Sequence, residues 1–286
     1  MSLAYPLQRF QDWFTQQWVI LWGRKIDPKK VPWLAGPFGD LDGIGDRFIN
    51  QLAEKENLVI ERNSRLNGLL PSIKLLELSD IELTTLSKEV IKFYETTANY
   101  KLDFTVKWNP FFKVFGVLVN ILFSNRINQL YIPTKSIKEA ESLKSEIITL
   151  YDPNTNEVKY TIWYRMFKST GKVIYSGVYS TCKLPSGETC VKAVFPLPKG
   201  SATVIMQPSV QENGTLTLNS AGKKFGDAGF YFVLKDSKGN CWSQFVRSFR
   251  DKLTIGLEND SLSAQQTLTL WKQRVLKMNY KIKEKE

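Results

Sequence analysis

The chain of 286 residues is 43% hydrophobic and carries a formal net charge of +11, so it predicts a folded basic protein and excludes global disorder. It contains no histidine, which excludes the commonest general base, the commonest metal ligand and the Ser-His and Cys-His nucleophile pairs. We therefore expect no metal site and no cofactor, and an enzyme on this chain would depend on carboxylates, Tyr, Lys or Arg.

The cysteines and the N-terminal residues both indicate the cellular compartment in which the protein is expected. Cys182, Cys190 and Cys241 form an odd set without the spacing of a metal site, which is typical of reduced thiols in a cytoplasm. Residues 1–20 lack the basic start, apolar run and small-residue cleavage site of a secretory signal. The sequence therefore predicts a cytoplasmic location.

The first predicted element is an aromatic-rich helix over residues 7–26. Trp13, Trp18 and Trp22 lie near helical spacing, and Gly23 marks the end of the pattern. Such a helix either packs on its own domain or lies in a membrane interface. Its polar face is rich in Gln rather than Lys, which favours packing on the domain.

A loop, a second helix and a strand are predicted next. Residues 27–48 are rich in proline and glycine, as loops are. A helix over 80–98 begins with a capping-box pattern formed by Ser79 and Glu82. Residues 100–108 then alternate apolar and polar side chains, which predicts a strand with one solvated face.

The most apolar stretch of the chain is residues 109–130. A helix that spans a membrane needs about 20 apolar residues, but Lys113 and Asn120 interrupt this run. Asn109 suits the N-cap position and Pro110 the first helical position. We therefore predict a core helix that covers a cavity, and not a transmembrane span.

From about residue 144 the apolar pattern changes to period two, with turn residues at regular intervals. This pattern predicts an antiparallel meander. The predicted strands are 145–151, 158–167, 173–182, 188–195, 202–207, 214–219, 229–236 and 241–256, the last of them interrupted.

The last predicted element is a helix over residues 263–280. Ser263 and Gln266 form a capping pattern at its start. Its apolar face would consist of Leu268, Trp271, Val275 and Met278.

Several predicted strands are apolar on both faces, as expected of a sheet covered on both sides or of a sheet that lines a ligand pocket. Asp227 fits either a Gly-Asp turn or a buried pair with one of two arginines within apolar strands. Such an arginine could also bind an anionic head group. The candidate ligand-binding residues are Trp163, Tyr164, Arg165, Tyr175, Asp227 and Arg247.

The order strand, apolar helix, strand meander and long C-terminal helix resembles the helix-grip arrangement of START-like and polyketide-cyclase-like proteins. The resemblance covers about residues 100–280 and implies a curved antiparallel sheet that wraps a C-terminal helix around a hydrophobic cavity. The stretches IWYR, FPLPKGSATVIMQP and FGDAGFYF are also similar to an uncharacterised bacterial family. That second resemblance implies no functional residues.

These observations predict an α+β protein with two parts. Residues 1–99 would form a mostly helical extension, and residues 100–286 a large curved antiparallel sheet that grips the C-terminal helix. The expected function is binding of an apolar or amphipathic, lipid-like small molecule. One alternative is an enzyme on the same scaffold that acts on a lipid-like or aromatic substrate. The other is a peripheral module on an anionic membrane surface or a protein partner; nucleic-acid binding is disfavoured because no zinc finger, helix-turn-helix or RNP motif is present.

Overall fold

The structure is a computed structural model that describes residues 3–6, 10–39, 46–62, 64, 67–113 and 137–285. The helices are α1 (Phe10–Trp22), α2 (Asp46–Glu56), α3 (Asp80–Thr85) and α4 (Lys88–Glu95). Single 3-10 turns lie at Pro32–Leu34, Ile73–Leu76 and Thr97–Asn99. The strands are β1 (Arg24–Ile26), β2 (Val59–Arg62), β3 (Tyr100–Trp108), β4 (Ile137–Tyr151), β5 (Val158–Phe167), β6 (Val173–Lys183), β7 (Thr189–Leu197), β8 (Gly200–Val210), β9 (Leu216–Asn219), β10 (Gly229–Lys235), β11 (Cys241–Phe245), β12 (Phe249–Glu258), β13 (Ser261–Leu270) and β14 (Gln273–Glu284).

Ten of these strands form a closed antiparallel barrel. Their order around the ring is β3, β4, β5, β6, β7, β8, β9, β12, β13 and β14, and β14 pairs with β3 to complete it. The short strand β9 pairs with β8 on one side and with β12 on the other, so it closes the ring. Strands β10, β11 and β1 extend outward from β8, and β2 pairs with β4.

The predicted α+β class with a gripped C-terminal helix is wrong, because residues 263–280 lie in the hairpin of β13 and β14. Trp271 and Lys272 form its turn, with φ angles of 48° and 66°, and two-residue hairpin turns require such left-handed backbone. The two strands bury every second side chain, which is the period of a strand and not of a helix. The buried residues are Leu262, Ala264, Leu268, Leu276, Met278, Tyr280 and Ile282.

The predicted strands of the meander are confirmed. The strand over 100–108 is β3, and the eight predicted ranges correspond to β4 through β12. The interruption predicted within 241–256 lies at residues 246–248, where the chain turns from β11 into β12. Period two therefore identified strands correctly wherever it was applied, both in the barrel and in the extension formed by β10 and β11.

The predicted helices have mixed outcomes. Residues 80–98 hold two short helices, because Leu86 takes an extended backbone between α3 and α4. The capping box is confirmed, since Ser79 and Glu82 exchange both hydrogen bonds. Asn109 caps a helical turn as predicted, and its Oδ1 accepts from the Phe111 N–H at 3.1 Å. The rest of the apolar stretch, residues 114–130, lies outside the described residues.

The inside and the outside of the barrel are both covered by apolar side chains. The largest apolar cluster fills the interior, where α4 contributes Val90 and Phe93. Outside the barrel, α2 covers β4, β5 and β6 with Phe48 and Ile49. Several strands are apolar on both faces because one face lines the barrel interior and the other packs against α2.

The boundary at residue 99 stays a prediction. Among the described elements, α1 to α4 lie before it, but β1 and β2, which also come from that segment, join the sheet. In the part of the chain that is described, no helix has both the length and the apolar character needed to cross a membrane.

Candidate functional site

A cavity of about 300 Å³ lies inside the barrel. Strand side chains that point inward form most of its wall, and Leu69, Leu70, Phe93 and Tyr94 add to it from the segment before β3. The wall is mostly apolar, as in typical ligand pockets. Its polar members are Arg165, Tyr175, Tyr179, Asp251, Gln266 and Tyr280.

Arg165 is the positive charge of the cavity. It lies on β5 opposite Tyr175 of β6, and only 5% of its surface is exposed. Its guanidinium stacks at 3.9 Å over the ring of Trp163 and at 4.8 Å over that of Tyr175. Nη2 donates a long hydrogen bond of 3.5 Å to the Tyr179 hydroxyl. Among the described residues, its buried Nε has no hydrogen-bond partner.

Asp251 is the acidic counterpart on β12. Its Oδ2 accepts a hydrogen bond of 2.7 Å from Nε2 of Gln266. Its buried Oδ1, by contrast, has no partner in the described part of the chain. Burial raises the pKa of Asp251 to about 7, against the opposing effects of the Gln266 hydrogen bond and the Arg165 charge. The carboxyl group therefore changes its charge close to neutral pH, and not in the acid range of an ordinary aspartate.

Three tyrosine hydroxyls lie close to these charges. Burial raises the pKa of Tyr280 to about 12 and also raises the pKa values of Tyr175 and Tyr179, so all three stay neutral donors at physiological pH. The Tyr280 hydroxyl donates to Oε1 of Gln266 at 3.4 Å. The cavity thus offers one permanent cation, one titratable carboxyl group and neutral hydroxyl donors within an apolar wall.

Strand alternation explains why these side chains meet. Trp163 and Arg165 are two residues apart on β5 and therefore point to the same face, and Tyr175 is the cross-strand partner of Arg165. The structure brings these three sequence-predicted residues together in the cavity wall. Tyr164 points to the opposite face, where it packs in the cluster formed with α2.

Asp227 and Arg247 lie away from the cavity. Asp227 stabilises a turn before β10, since its Oδ2 accepts from the backbone N–H groups of Lys223 and Lys224 at 2.9 and 3.1 Å. Arg247 is exposed in the turn between β11 and β12. The turn interpretation of Asp227 is therefore the one that the geometry favours.

Sequence reasoning missed Asp251, Gln266, Tyr179 and Tyr280. The available signal was the phase of the strands. Asp251 lies two residues from both Phe249 and Leu253, so all three side chains point to the same, inward face of β12. Gln266 and Tyr280 were predicted to lie in one helix, but they lie in the strands β13 and β14. The helix prediction hid the fact that both side chains point into the barrel.

The cysteines and the acidic side chains are the other candidates for thiol or metal chemistry. These residues include no group of three or more His, Cys, Asp or Glu that could hold a metal ion. Cys182 and Cys190 are direct cross-strand partners, and together with Cys241 they are buried free thiols. Burial raises their pKa values, to about 11 for Cys182 and about 12 for Cys190, which makes them poor nucleophiles.

A second unusual surface is formed by α1, which exposes its aromatic face. Phe10 is 73% exposed and Trp22 is 74% exposed, and Phe14 and Leu21 lie between them on the same side. Arg24, which follows the helix directly, is also exposed. We call the exposed side chains of Phe10, Phe14, Trp18, Leu21 and Trp22 the aromatic stripe.

The opposite face of α1 buries polar side chains against the protein. Gln16 donates from Nε2 to the Pro198 carbonyl at 2.8 Å, and Gln17 Oε1 accepts from the Ala4 N–H at 3.1 Å. Val19 packs beside them. The helix thus buries the apolar Val19 and Ile20 together with polar side chains. It differs from an ordinary surface helix, whose exposed face is polar, because large apolar side chains also cover its exposed face.

Comparisons with known proteins identify a similar protein but show no family for this chain. The chain is 25% identical over 240 residues to an uncharacterised membrane protein, YndJ, of Bacillus subtilis. The alignment covers 84% of this chain and 41% of the relative, so the chain spans less than half the length of the curated relative that it matches. No family model and no solved structure match the chain. The relative agrees with the resemblance to an uncharacterised bacterial family, whereas no finding agrees with a START-like one.

Proposed function

We propose that the barrel binds an apolar or amphipathic small molecule in its cavity. The observation that carries this proposal is the combination of an apolar interior with two buried, incompletely hydrogen-bonded polar side chains, Arg165 and Asp251. A buried polar atom without a partner costs about 1–3 kcal/mol, and more if it is charged. A ligand that supplied hydrogen bonds to these atoms would recover that free energy.

The size of the cavity limits the class of ligand. A volume of about 300 Å³ lies at the lower end of the range of about 300–1,000 Å³ for small-molecule sites. This volume favours one small or single-chain molecule over a lipid with two acyl chains. An enzyme on the same scaffold stays an alternative, with Asp251 as its titratable group.

Direct binding of a fluorescent probe tests this function. The probe is 11-(dansylamino)undecanoic acid, whose emission rises when it leaves water for an apolar site. We expect saturable binding by the wild-type protein and loss of binding in Ala264→Phe, which fills the cavity from β13. The control is Val158→Phe, which introduces the same aromatic ring at an exposed position of β5. Equal binding by both variants would place the probe outside the cavity and contradict the proposal.

A second candidate function is docking of the aromatic stripe on an anionic membrane surface. The stripe is apolar and exposed, and exposed basic residues follow it immediately: Arg24, Lys25, Lys29 and Lys30. Aromatic side chains favour the membrane–water interface, and lysines and arginines beside them attract anionic lipids. The relative from Bacillus subtilis is named a membrane protein, which agrees with a function at a membrane.

Vesicle sedimentation tests the docking. Vesicles of equimolar phosphatidylcholine and phosphatidylglycerol should bind the wild-type protein and release it at high salt, and the double variant Phe14→Ser, Trp22→Ser should bind weakly. Trp271→Ser, which removes an exposed aromatic residue at the β13–β14 turn, is the control and should bind like the wild type. Concentration-dependent self-association that the double variant abolishes would assign the stripe to a second copy of the chain and contradict membrane docking.

A further inference from the structure

We propose that the cavity ligand is a single-chain amphipathic carboxylate, with its anionic head group between Arg165 and Asp251 and its chain along the apolar wall. This inference rests on the proposed binding function, which it narrows to one chemical class. The two side chains come from β5 and β12, and each has one buried polar atom without a partner among the described residues.

Arg165 supplies a donor for one carboxylate oxygen. Trp163 and Tyr175 hold the guanidinium by stacking on it, and Tyr179 engages Nη2, so the arginine is fixed in place while Nε remains unpaired. A permanent cation buried in an apolar wall strongly favours an anionic partner. A neutral alcohol or an ester would satisfy the hydrogen bond but would leave the charge uncompensated.

Asp251 supplies a donor for the second carboxylate oxygen when it is protonated. Gln266 donates to Oδ2, so the proton of the neutral acid belongs on Oδ1, the oxygen without a partner. A protonated Oδ1 can donate to the ligand, whereas an ionised Oδ1 would repel it. The pair therefore carries one net positive charge in its binding form and matches one negative charge on the ligand.

Binding should consequently depend on the protonation of Asp251. The charged and titratable groups that interact with Asp251 are Arg165 on β5, Tyr175 and Tyr179 on β6, and Tyr280 on β14. The three tyrosines have raised pKa values and stay neutral near pH 7, and Arg165 stays charged. Burial brings the pKa of Asp251 to about 7, so Asp251 is the group in this set whose charge changes in the physiological range.

Calorimetric titration with three single-chain probes tests the inference. The probes are dodecanoate, dodecanol and lysophosphatidylglycerol, which offer a carboxylate, a neutral hydroxyl group and a monoanionic phosphodiester. We expect dodecanoate to bind the wild-type protein more tightly than the other two. Its affinity should fall roughly tenfold between about pH 6 and about pH 8, as Asp251 loses its proton.

Two variants separate the roles of the charges. In Asp251→Asn, dodecanoate should bind with an affinity that no longer changes with pH, because the amide donates at either pH. In Arg165→Gln, dodecanoate should lose about tenfold or more in affinity, while dodecanol binding is retained and shows that the cavity is intact. Arg165→Lys, which keeps the charge without Nε, should recover part of the loss.

The outcomes distinguish this inference from the function on which it rests. If none of the probes binds, the cavity function itself fails. If dodecanoate and dodecanol bind alike and neither variant changes their ratio, the cavity function holds and the carboxylate assignment is overturned. Preference for lysophosphatidylglycerol that depends on Arg165 would also overturn it and would assign the site to a phospholipid head group.

Discussion

Gln266 donates a hydrogen bond of 2.7 Å to Asp251 across the neighbouring strands β13 and β12. The two side chains lie on the inner face of the barrel, where most neighbours are apolar. The bond occupies one oxygen of the carboxyl group and fixes its orientation. Because a buried carboxyl group is stabilised in its neutral form, this pair links the protonation of the barrel interior to the stability of the fold.

The first prediction is that the free energy of unfolding decreases as pH rises through the range set by Asp251. Its folded-state pKa of about 7 lies above the value of about 3.9 in an unfolded chain. Between these values the folded state binds more protons, so stability falls as pH rises, by at most about 1.4 kcal/mol per pH unit. Urea denaturation at a series of pH values from acid to neutral measures this slope.

Asp251→Asn is the matched variant for that measurement, because its amide oxygen can still accept from Gln266. The difference in stability between variant and wild type should shift in favour of the variant as pH rises from about 4 to about 7, and then stay constant. Parallel pH profiles of the two proteins would show that Asp251 titrates normally and is not buried as described.

The second prediction concerns the turn between β13 and β14. Trp271 and Lys272 both have positive φ angles, and Asn-Gly is the favoured pair for such a turn. Left-handed backbone costs a non-glycine residue about 1–2 kcal/mol, and the added freedom of glycine in the unfolded chain offsets about 0.5–1 kcal/mol of that gain. The double variant Trp271→Asn, Lys272→Gly should therefore raise the free energy of unfolding by about 0.5–1 kcal/mol. Thermal and urea denaturation both report this change.

The same variant distinguishes a hairpin from the helix that the sequence pattern had indicated. In a helix, glycine at position 272 would lower stability by about 0.8–1.0 kcal/mol relative to alanine. The two structures thus predict opposite signs. Destabilisation by Asn-Gly, with Trp271→Ala as a neutral control, would contradict the hairpin.

The third prediction is that α4 belongs to the core of the barrel. Phe93 is 1% exposed and its ring contacts those of Tyr100 and Trp163. Phe93→Ala should cost about 3–5 kcal/mol of stability because it removes a buried ring and leaves a cavity. Phe14→Ala, at an exposed position of α1, should change stability by less than about 0.5 kcal/mol. Similar small effects of both variants would mean that residues 1–99 fold independently of the barrel.

The fourth prediction is low thiol reactivity. Cys182, Cys190 and Cys241 are buried and their pKa values are raised by burial, so little thiolate forms at mildly alkaline pH. Ellman's reagent should react slowly with the native protein and should label all three thiols after denaturation in guanidinium chloride. Fast labelling of Cys182 or Cys190 in the native protein would contradict the packing of β6 against β7.

The sequence was sufficient to identify most strands, because half-buried strands repeat with period two. It was insufficient for β13 and β14, since Leu268, Val275 and Met278 also fit helical spacing when they are considered without the intervening residues. Closure of the barrel depends on β9, a strand of four residues that pairs with both β8 and β12. Pairing between strands distant in sequence leaves no local pattern that a single sequence can reveal.

Prediction of the candidate site was limited in the same way, by contacts between strands that are distant in sequence. Trp163, Arg165 and Tyr175 could be grouped because their strands are consecutive and pair directly. Asp251 comes from the other side of the barrel, so its relation to Arg165 depends on closure. The sequence feature that marks the site is a polar residue at an inward position of an apolar strand. It can be recognised in β12 and β13 only when it is known which side chains of these strands point inward.

Native mass spectrometry of the full chain, purified without detergent and then extracted with organic solvent, is the most direct test of the cavity function. We expect an adduct on the protein of 32.9 kDa at about one ligand per chain, with a single-chain carboxylate in the extract, and loss of that adduct in Ala264→Phe but not in Val158→Phe. A bare protein mass in all three proteins, together with no binding of added dodecanoate, would contradict a ligand-binding barrel.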